Sequence, residues 1–199
     1  MFCDCRSFWK ENKAWIITHA GCVGMAMMLA FHPSSWKILT PYSGFTAVGF
    51  LILVLSLSPL KTLFPSLLIL TYCNRYRREI GVACFSYALI HLICFIIKRG
   101  GVLETFLYLL HPALIPVFWI AFPIFTILAL TSNQISLKKL GFLKWKKLHK
   151  WVYCGEFCVF LHMILVGESF YAFLLFCPLF TLQLIVYLKK KRAKSKISS

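Results

Sequence analysis

Long runs of apolar residues recur along the chain and are separated by short connections rich in lysine and arginine. Each run has about the 17–25 residues that a helix needs to cross the hydrocarbon core of a bilayer. Helices are expected because backbone groups in lipid must find their hydrogen bonds internally. The pattern therefore predicts an all-α, polytopic membrane bundle of about six transmembrane helices. The predicted spans are 14–31, 44–64, 80–97, 112–130, 149–167 and 170–188.

The composition agrees with a membrane domain. Hydrophobic residues make up 60% of the 199-residue chain, and the mean hydropathy is +0.77, whereas soluble domains are about 45–50% apolar. No polar segment is long enough to fold separately, so we expect one domain over 1–199 with a basic tail at 189–199. The first apolar run lacks a convincing small-residue cleavage site and is interpreted as a retained helix and not as a signal peptide.

The net charge of +16 could suggest a nucleic-acid partner, but the distribution of the charges argues against one. Of the 22 lysines and arginines, 19 lie in the N-terminus, the connections at 61–78 and 132–150, and the C-terminus. Cytoplasmic loops carry such an excess of basic residues, so this distribution predicts that both termini are cytoplasmic. The opposite side holds the remaining three, which are Lys37, Lys98 and Arg99.

Two prolines, Pro116 and Pro123, fall inside the fourth predicted span. Proline is tolerated in membrane helices and usually kinks them. We expect a kink here that serves packing and not a functional hinge.

Two histidines lie deep inside predicted spans. His91 is eleven residues into the third span, about 16 Å from its cytoplasmic end, and His162 is about 20 Å from the same surface. Ionisable side chains are costly in lipid and mark functional sites by default. Two imidazoles at similar depth on two parallel helices would suit a haem iron held between them. The alternative is that each histidine forms a hydrogen bond to a neighbouring helix.

Two other ionisable residues belong to the fifth predicted span. His149 lies at its cytoplasmic boundary among lysines, where a solvated interfacial histidine is common. On an ideal helix His149 and His162 would point about 140° apart, unless His149 precedes the regular start of the helix. Glu156 is an acid well inside the span, and either a proton-linked role or a neutral, hydrogen-bonded carboxyl would suit it.

Two stretches of the sequence resemble a known family. Residues 75–92 contain Arg-Arg-x-x-Gly and, next to their end, His91, and residues 128–153 contain a Thr-Ser pair and a Leu-His pair before His162. They are similar to the ferric-reductase-like transmembrane family, and within it to the haem-binding membrane subunits of the bacterial periplasmic methionine sulfoxide reductase system. The similarity covers roughly residues 44–167.

This resemblance implies a haem b electron-transfer subunit, and not a catalytic subunit, in the bacterial inner membrane. Such subunits take electrons from a cytoplasmic flavin reductase or from quinones and pass them to a periplasmic molybdopterin enzyme that repairs oxidised methionine. By motif position, His91 and His162 would ligate the haem iron, and His149 is a candidate ligand for a second haem or for FMN. Arg77 and Arg78 lie where a flavin phosphate could bind, although anchoring by positive charge would place them there equally well.

The chain departs from the larger relatives in two respects. Those relatives carry two histidines on each of two helices, whereas the residue thirteen before His91 is Arg78. Four-histidine ligation of two haems is therefore not available from these two helices. The larger relatives also fuse a soluble flavin and nicotinamide domain, which is absent here, so we expect a separate electron donor.

Other function classes stay open from the residues alone. One is an electron conduit to a different acceptor. A second is a cofactor-free, transporter-like bundle in which intramembrane histidine and glutamate side chains relay protons. A third is a structural membrane partner without a cofactor. A reduced-minus-oxidised absorption spectrum would separate the first from the other two.

Overall fold

The computed structural model describes residues 5–195, apart from the side chains of residues 5–12, 107 and 194. These residues form helices and turns and contain no strand, so the predicted all-α class is confirmed. The α-helices are α1 (Cys5–Phe31), α2 (Trp36–Leu63), α3 (Leu68–Arg75), α4 (Arg77–Lys98), α5 (Val102–Tyr108), α6 (Phe122–Leu130), α7 (Gln134–Leu140), α8 (Phe142–His149), α9 (Val152–Leu165) and α10 (Ser169–Ser195). The last four residues of the basic tail lie outside the described part.

Each predicted span corresponds to a helical segment. Within the described residues, four helical segments are long and apolar enough to cross a membrane: Lys13–Phe31, Pro33–Leu63, Arg77–Lys98 and Ser169–Ala193. A fifth is obtained if Ile115–Leu130 and Gln134–Leu140, which meet at an angle of 95°, count as one broken span. The fifth predicted span is the 14-residue helix α9, which is about 21 Å long. The count of six spans and the orientation of the termini stay predictions.

The fourth predicted span is not one kinked α-helix. It is a π-helix, Ile115–Ala121, that continues directly into α6. Pro116 lies in the first turn of the π-helix, where its missing N–H costs no intrahelical bond, and Pro123 lies where the π-helix passes into α6, so that its missing N–H interrupts the hydrogen-bond pattern. The wider π turn accommodates this interruption without ending the helix, and such turns occur frequently at functional sites.

Short helices occupy the connections that hydropathy alone leaves undefined. After α6 the chain turns sharply at Asn133, whose side chain accepts a hydrogen bond from the Ser136 N–H at 2.7 Å and caps α7. Gly141 then ends α7 with a φ of 74°, a left-handed conformation that favours glycine. Helix α8 follows and carries three of the lysines on the basic side, Lys144, Lys146 and Lys147.

Helices α2 and α4 form the most extensive pair in the bundle. Helix α1 packs against α4, α10 packs against α2 and α9, and α9 packs against the π-helix. One apolar core joins α2, α4, the π-helix, α9 and α10 and includes Leu55, Cys84, Ala121, Met163 and Phe176. Many large apolar side chains are exposed on the outside of the bundle, as expected for a surface that faces lipid. This packing places the middle of α4 opposite the second half of α9.

Candidate functional site

His91 and His162 line the same cavity. The cavity has a volume of about 440 Å³ and lies between α2, α4, the π-helix and α9. Cavities of about 300–1,000 Å³ are typical of small-molecule and cofactor sites. The two deep histidines that the sequence singles out therefore face one common cavity.

Both imidazoles are oriented by a backbone carbonyl of another segment. The Nδ1–H of His91 donates to the Thr40 carbonyl oxygen at 2.8 Å, and that of His162 donates to the Ala113 carbonyl oxygen at 2.7 Å. A carbonyl can only accept, so each Nδ1 carries the hydrogen and each Nε2 keeps its lone pair. Metal-binding histidines commonly have this second hydrogen bond, which fixes the tautomer and the ring orientation.

The ring of His91 fits against a glycine of α2. A Cβ atom built on Gly44 would lie 2.9 Å from Nδ1 and 3.0 Å from Cε1 of His91. Real Cβ atoms essentially never approach a neighbour closer than 3.0 Å. Gly44 thus leaves the space in which the His91 ring reaches the Thr40 carbonyl.

The remaining wall of the cavity is mostly apolar and aromatic. Phe45 and Leu51 come from α2, Leu92 and Phe95 from α4, and Val117, Phe118, Phe122 and Phe125 from the π-helix and α6. Phe125 in turn packs against Gly155 of α9, where an added Cβ would lie 2.6 Å from the Phe125 ring. Such a wall excludes water and suits a large planar apolar molecule.

The residues present fit a metal only if the metal brings further ligands. Among the residues that the structure describes, no group of three or more His, Cys, Asp or Glu side chains could hold a metal ion. Two imidazole Nε2 atoms facing an apolar cavity fit an iron ion whose other four ligands are the nitrogens of a porphyrin. His91 and His162 are the candidates for such a pair.

His149 does not line this cavity. It is the last residue of α8, and α9 begins at Val152, so His149 precedes the regular start of the spanning helix. Its Nδ1–H donates to the Trp145 carbonyl at 3.0 Å, and its ring stacks on Trp145 with centroids 3.9 Å apart. Its Nε2 lies 3.4 Å from the Ser132 hydroxyl. Like the deep pair, His149 has Nδ1 held by a backbone carbonyl.

The structure separates the two candidate arginines. Arg77 is partly buried, donates to the Ser58 hydroxyl, and its charge interacts with the imidazole of His149. Arg78 is exposed and forms an ion pair with Glu79 at 3.7 Å. Arg77, but not Arg78, therefore reaches inward to a polar side chain, that of Ser58.

Glu156 lies between these two sites on α9 and is only 1% exposed. The Gln183 amide of α10 donates to both carboxyl oxygens, at 2.9 and 3.1 Å. This contact joins α9 to α10, and Glu156 does not line the cavity.

Sequence reasoning missed the groups that orient the histidines. Thr40 and Ala113 act through backbone carbonyls, which no side-chain pattern reveals, and Gly44 acts through the absence of a side chain. Pro116 is a weak signal for the second of these contacts, because the π-helix that contains it begins two residues after Ala113.

Comparisons with known proteins cover most of the chain. The sequence model of the family described as "Ferric reductase like transmembrane component" matches residues 43–161. Proteins of Brucella ovis, Brucella canis and Brucella suis named "Protein-methionine-sulfoxide reductase heme-binding subunit MsrQ" are 30% identical over 167 residues, which cover 79% of this chain and 72% of each relative.

No solved structure matches the chain significantly. The family match includes Ser43, Gly44, His91 and the first part of α9. The relatives extend the similarity over most of the bundle. The family resemblance predicted from residues 75–92 and 128–153 is thereby confirmed, and this multi-pass membrane protein belongs to the family of ferric reductase like transmembrane components.

Proposed function

We propose that this protein is a haem b electron-transfer subunit of a methionine sulfoxide reductase system, with His91 and His162 as the axial ligands of the iron. The observation that carries the proposal is the pair of imidazoles whose Nδ1 atoms are held by backbone carbonyls and whose rings line one apolar cavity. The printed name of the Brucella relatives describes them as heme-binding subunits of such a reductase.

The proposed role is electron transfer and not substrate chemistry. A bound haem would supply a one-electron redox couple between ferric and ferrous iron. With His91 and His162 both engaged as protein ligands, the iron would serve electron transfer and would not bind a substrate. His91 and His162 would hold the cofactor, the Thr40 and Ala113 carbonyls would fix their orientation, and the aromatic side chains of the wall would surround the cofactor with apolar surface.

We infer the direction of electron flow from the charge distribution. The basic connections and the C-terminal tail mark the cytoplasmic side of a bacterial inner membrane, so both termini face the cytoplasm. A cytoplasmic flavin reductase or the quinone pool is the donor in this proposal. The acceptor is a periplasmic molybdopterin enzyme that reduces methionine sulfoxide, in keeping with the subunit role named for the relatives.

A second cofactor site is proposed on the basic side, at His149 and Arg77. The Nδ1 of His149 is held by the Trp145 carbonyl, and the Arg77 guanidinium lies beside Ser58. Guanidinium groups recognise phosphate well, so this group could bind the phosphate of FMN, while His149 could ligate a second haem. Exposed Arg78 is assigned a supporting electrostatic role.

The decisive test of this function is an absorption spectrum. Protein purified in detergent from cells supplied with haem should be reddish and show a b-type reduced-minus-oxidised difference spectrum. Extracted pigment should be haem b. A colourless protein with no difference spectrum would contradict the proposal and favour the transporter-like or structural alternatives.

For the basic side, we expect His149→Ala to spare the deep haem but to slow its reduction by the electron donor. The reason is that His149 is on a different helix from the ligand pair and outside their cavity. Stopped-flow reduction with a flavin reductase, together with haem and flavin content, provides the measurement. Native kinetics with native cofactor content would instead show that His149 is an interfacial residue without a cofactor.

A further inference from the structure

The apolar cavity has one charged end. Among the described residues that line it, Lys98 is the cation and Glu168 is the anion. Lys98 is the last residue of α4, and Glu168 lies in the connection between α9 and α10. Lys98 and Glu168 are both exposed. The charged end therefore opens toward the surface, at the end of the bundle where α4 and α9 both terminate.

Lys98 lies on the same face of α4 as His91. The two residues are seven positions apart, which corresponds to about 10.5 Å along the axis and to nearly two full turns. Phe95 lies one turn beyond His91 and lines the wall between them. A flat ligand held at the imidazole of His91 and extending along this wall would thus meet the Lys98 amino group with its far edge.

The neighbouring charges do not neutralise Lys98. Lys98 and Glu168 are both described residues, and no ion pair within 4 Å joins them. Arg99, the next residue, does not line the cavity. Its guanidinium stacks on the Tyr108 ring at 3.7 Å and near the Phe95 ring at 5.5 Å. Lys98 is therefore available to bind an anionic group at the cavity mouth, whereas Arg99 is held against aromatic rings.

We propose that Lys98 binds the propionate carboxylates of the haem and so directs the acidic edge of the cofactor toward the α4 C-terminus. This inference rests on the proposed haem function and adds the ligand's orientation to it. Haem has an apolar body and two carboxylates on one edge, which matches an apolar cavity with an amino group at one end. Glu168 would repel carboxylates, so they lie on the α4 side of the mouth.

The test compares haem b with its dimethyl ester, in which both carboxylates are blocked. Each is bound to the full-length apoprotein, and the rate of haem loss to an excess of apomyoglobin is measured. We expect Lys98→Ala to release haem b about fivefold faster than the wild type, as for an ion pair near a protein surface. With the dimethyl ester, wild type and Lys98→Ala should release the cofactor at equal rates, because the contact is already absent.

Matched variants separate this contact from general effects of charge. Lys37→Ala removes another exposed lysine, one that does not line the cavity, and should leave the release rate unchanged. Lys98→Arg should retain the slow release, and Lys98→Gln should behave as Lys98→Ala does. Equal acceleration with haem b and its ester, or an equal effect of Lys37→Ala, would overturn the proposal while leaving the haem function intact. A wild-type protein that binds neither compound would instead refute the haem function itself.

Discussion

Replacing either deep histidine should remove most of the b-type absorbance of the protein. In His91→Ala or His162→Ala, one of the two proposed ligand Nε2 atoms is lost and the Thr40 or Ala113 carbonyl loses its imidazole donor. The site then offers a single ligand, with no third metal-binding side chain among the described residues to replace the lost one. The haem content of each purified variant, measured by pyridine haemochrome, should therefore fall to a small fraction of the wild-type value.

The control is a histidine outside the cavity. His32 is exposed between α1 and α2 and does not line the cavity, so His32→Ala should keep full haem content. Adding free imidazole to His91→Gly or His162→Gly should restore part of the absorbance, which distinguishes a lost ligand from a lost fold. Full haem retention in either alanine variant would remove that histidine from the ligand pair.

Much of the fold could be predicted because membrane helices are specified by composition over long windows. The third and sixth predicted spans, 80–97 and 170–188, lie inside α4 and α10. The second begins too late, since α2 starts at Trp36, before the run of strongly apolar residues. The short helices α3, α5, α7 and α8 and the π-helix depend on caps, prolines and packing, which average hydropathy does not capture.

The candidate site, like the fold, has a part that the sequence predicts and a part that depends on packing. His91 and His162 could be predicted because an ionisable residue in an apolar run is unusual in itself, whatever the fold. Their common cavity follows from the arrangement of α2, α4, the π-helix and α9 around it, which hydropathy cannot give. Lys98 is a further example. In the sequence it is a lysine at the end of a predicted span, and only the structure shows that it lines the cavity.

His149 shows how the local backbone can change an interpretation. On one continuous helix it would point about 140° away from His162, which argued against a common interior face. The turn at Lys150 and Trp151 separates α8 from α9, so that angle does not apply. The side chain is instead positioned by Trp145 and Ser132, two residues of the same basic connection.

The second large effect is expected from Gly44→Ala, which adds a single methyl group. The added methyl group would lie 2.9 Å from Nδ1 of His91, so the ring must move away from its hydrogen bond to the Thr40 carbonyl. Loss of such an orienting partner typically lowers the metal affinity of a histidine site by about 10–100-fold. We expect haem affinity to fall in this range, with a changed low-spin electron paramagnetic resonance signal in the haem that remains.

Gly49→Ala is the matched control for this prediction, because Gly49 lies in the same helix and a Cβ there meets no atom within 4 Å. Both substitutions favour the helical conformation by about 1 kcal/mol, so a difference between them cannot arise from helix propensity. Gly49→Ala should therefore bind haem as the wild type does. Because His91 remains present in Gly44→Ala, a loss of haem there would show that ring orientation, and not the mere presence of an imidazole, determines binding. Equal haem affinity and equal resonance signals in the two variants would mean that His91 does not bind iron in the orientation set by Thr40 and Gly44.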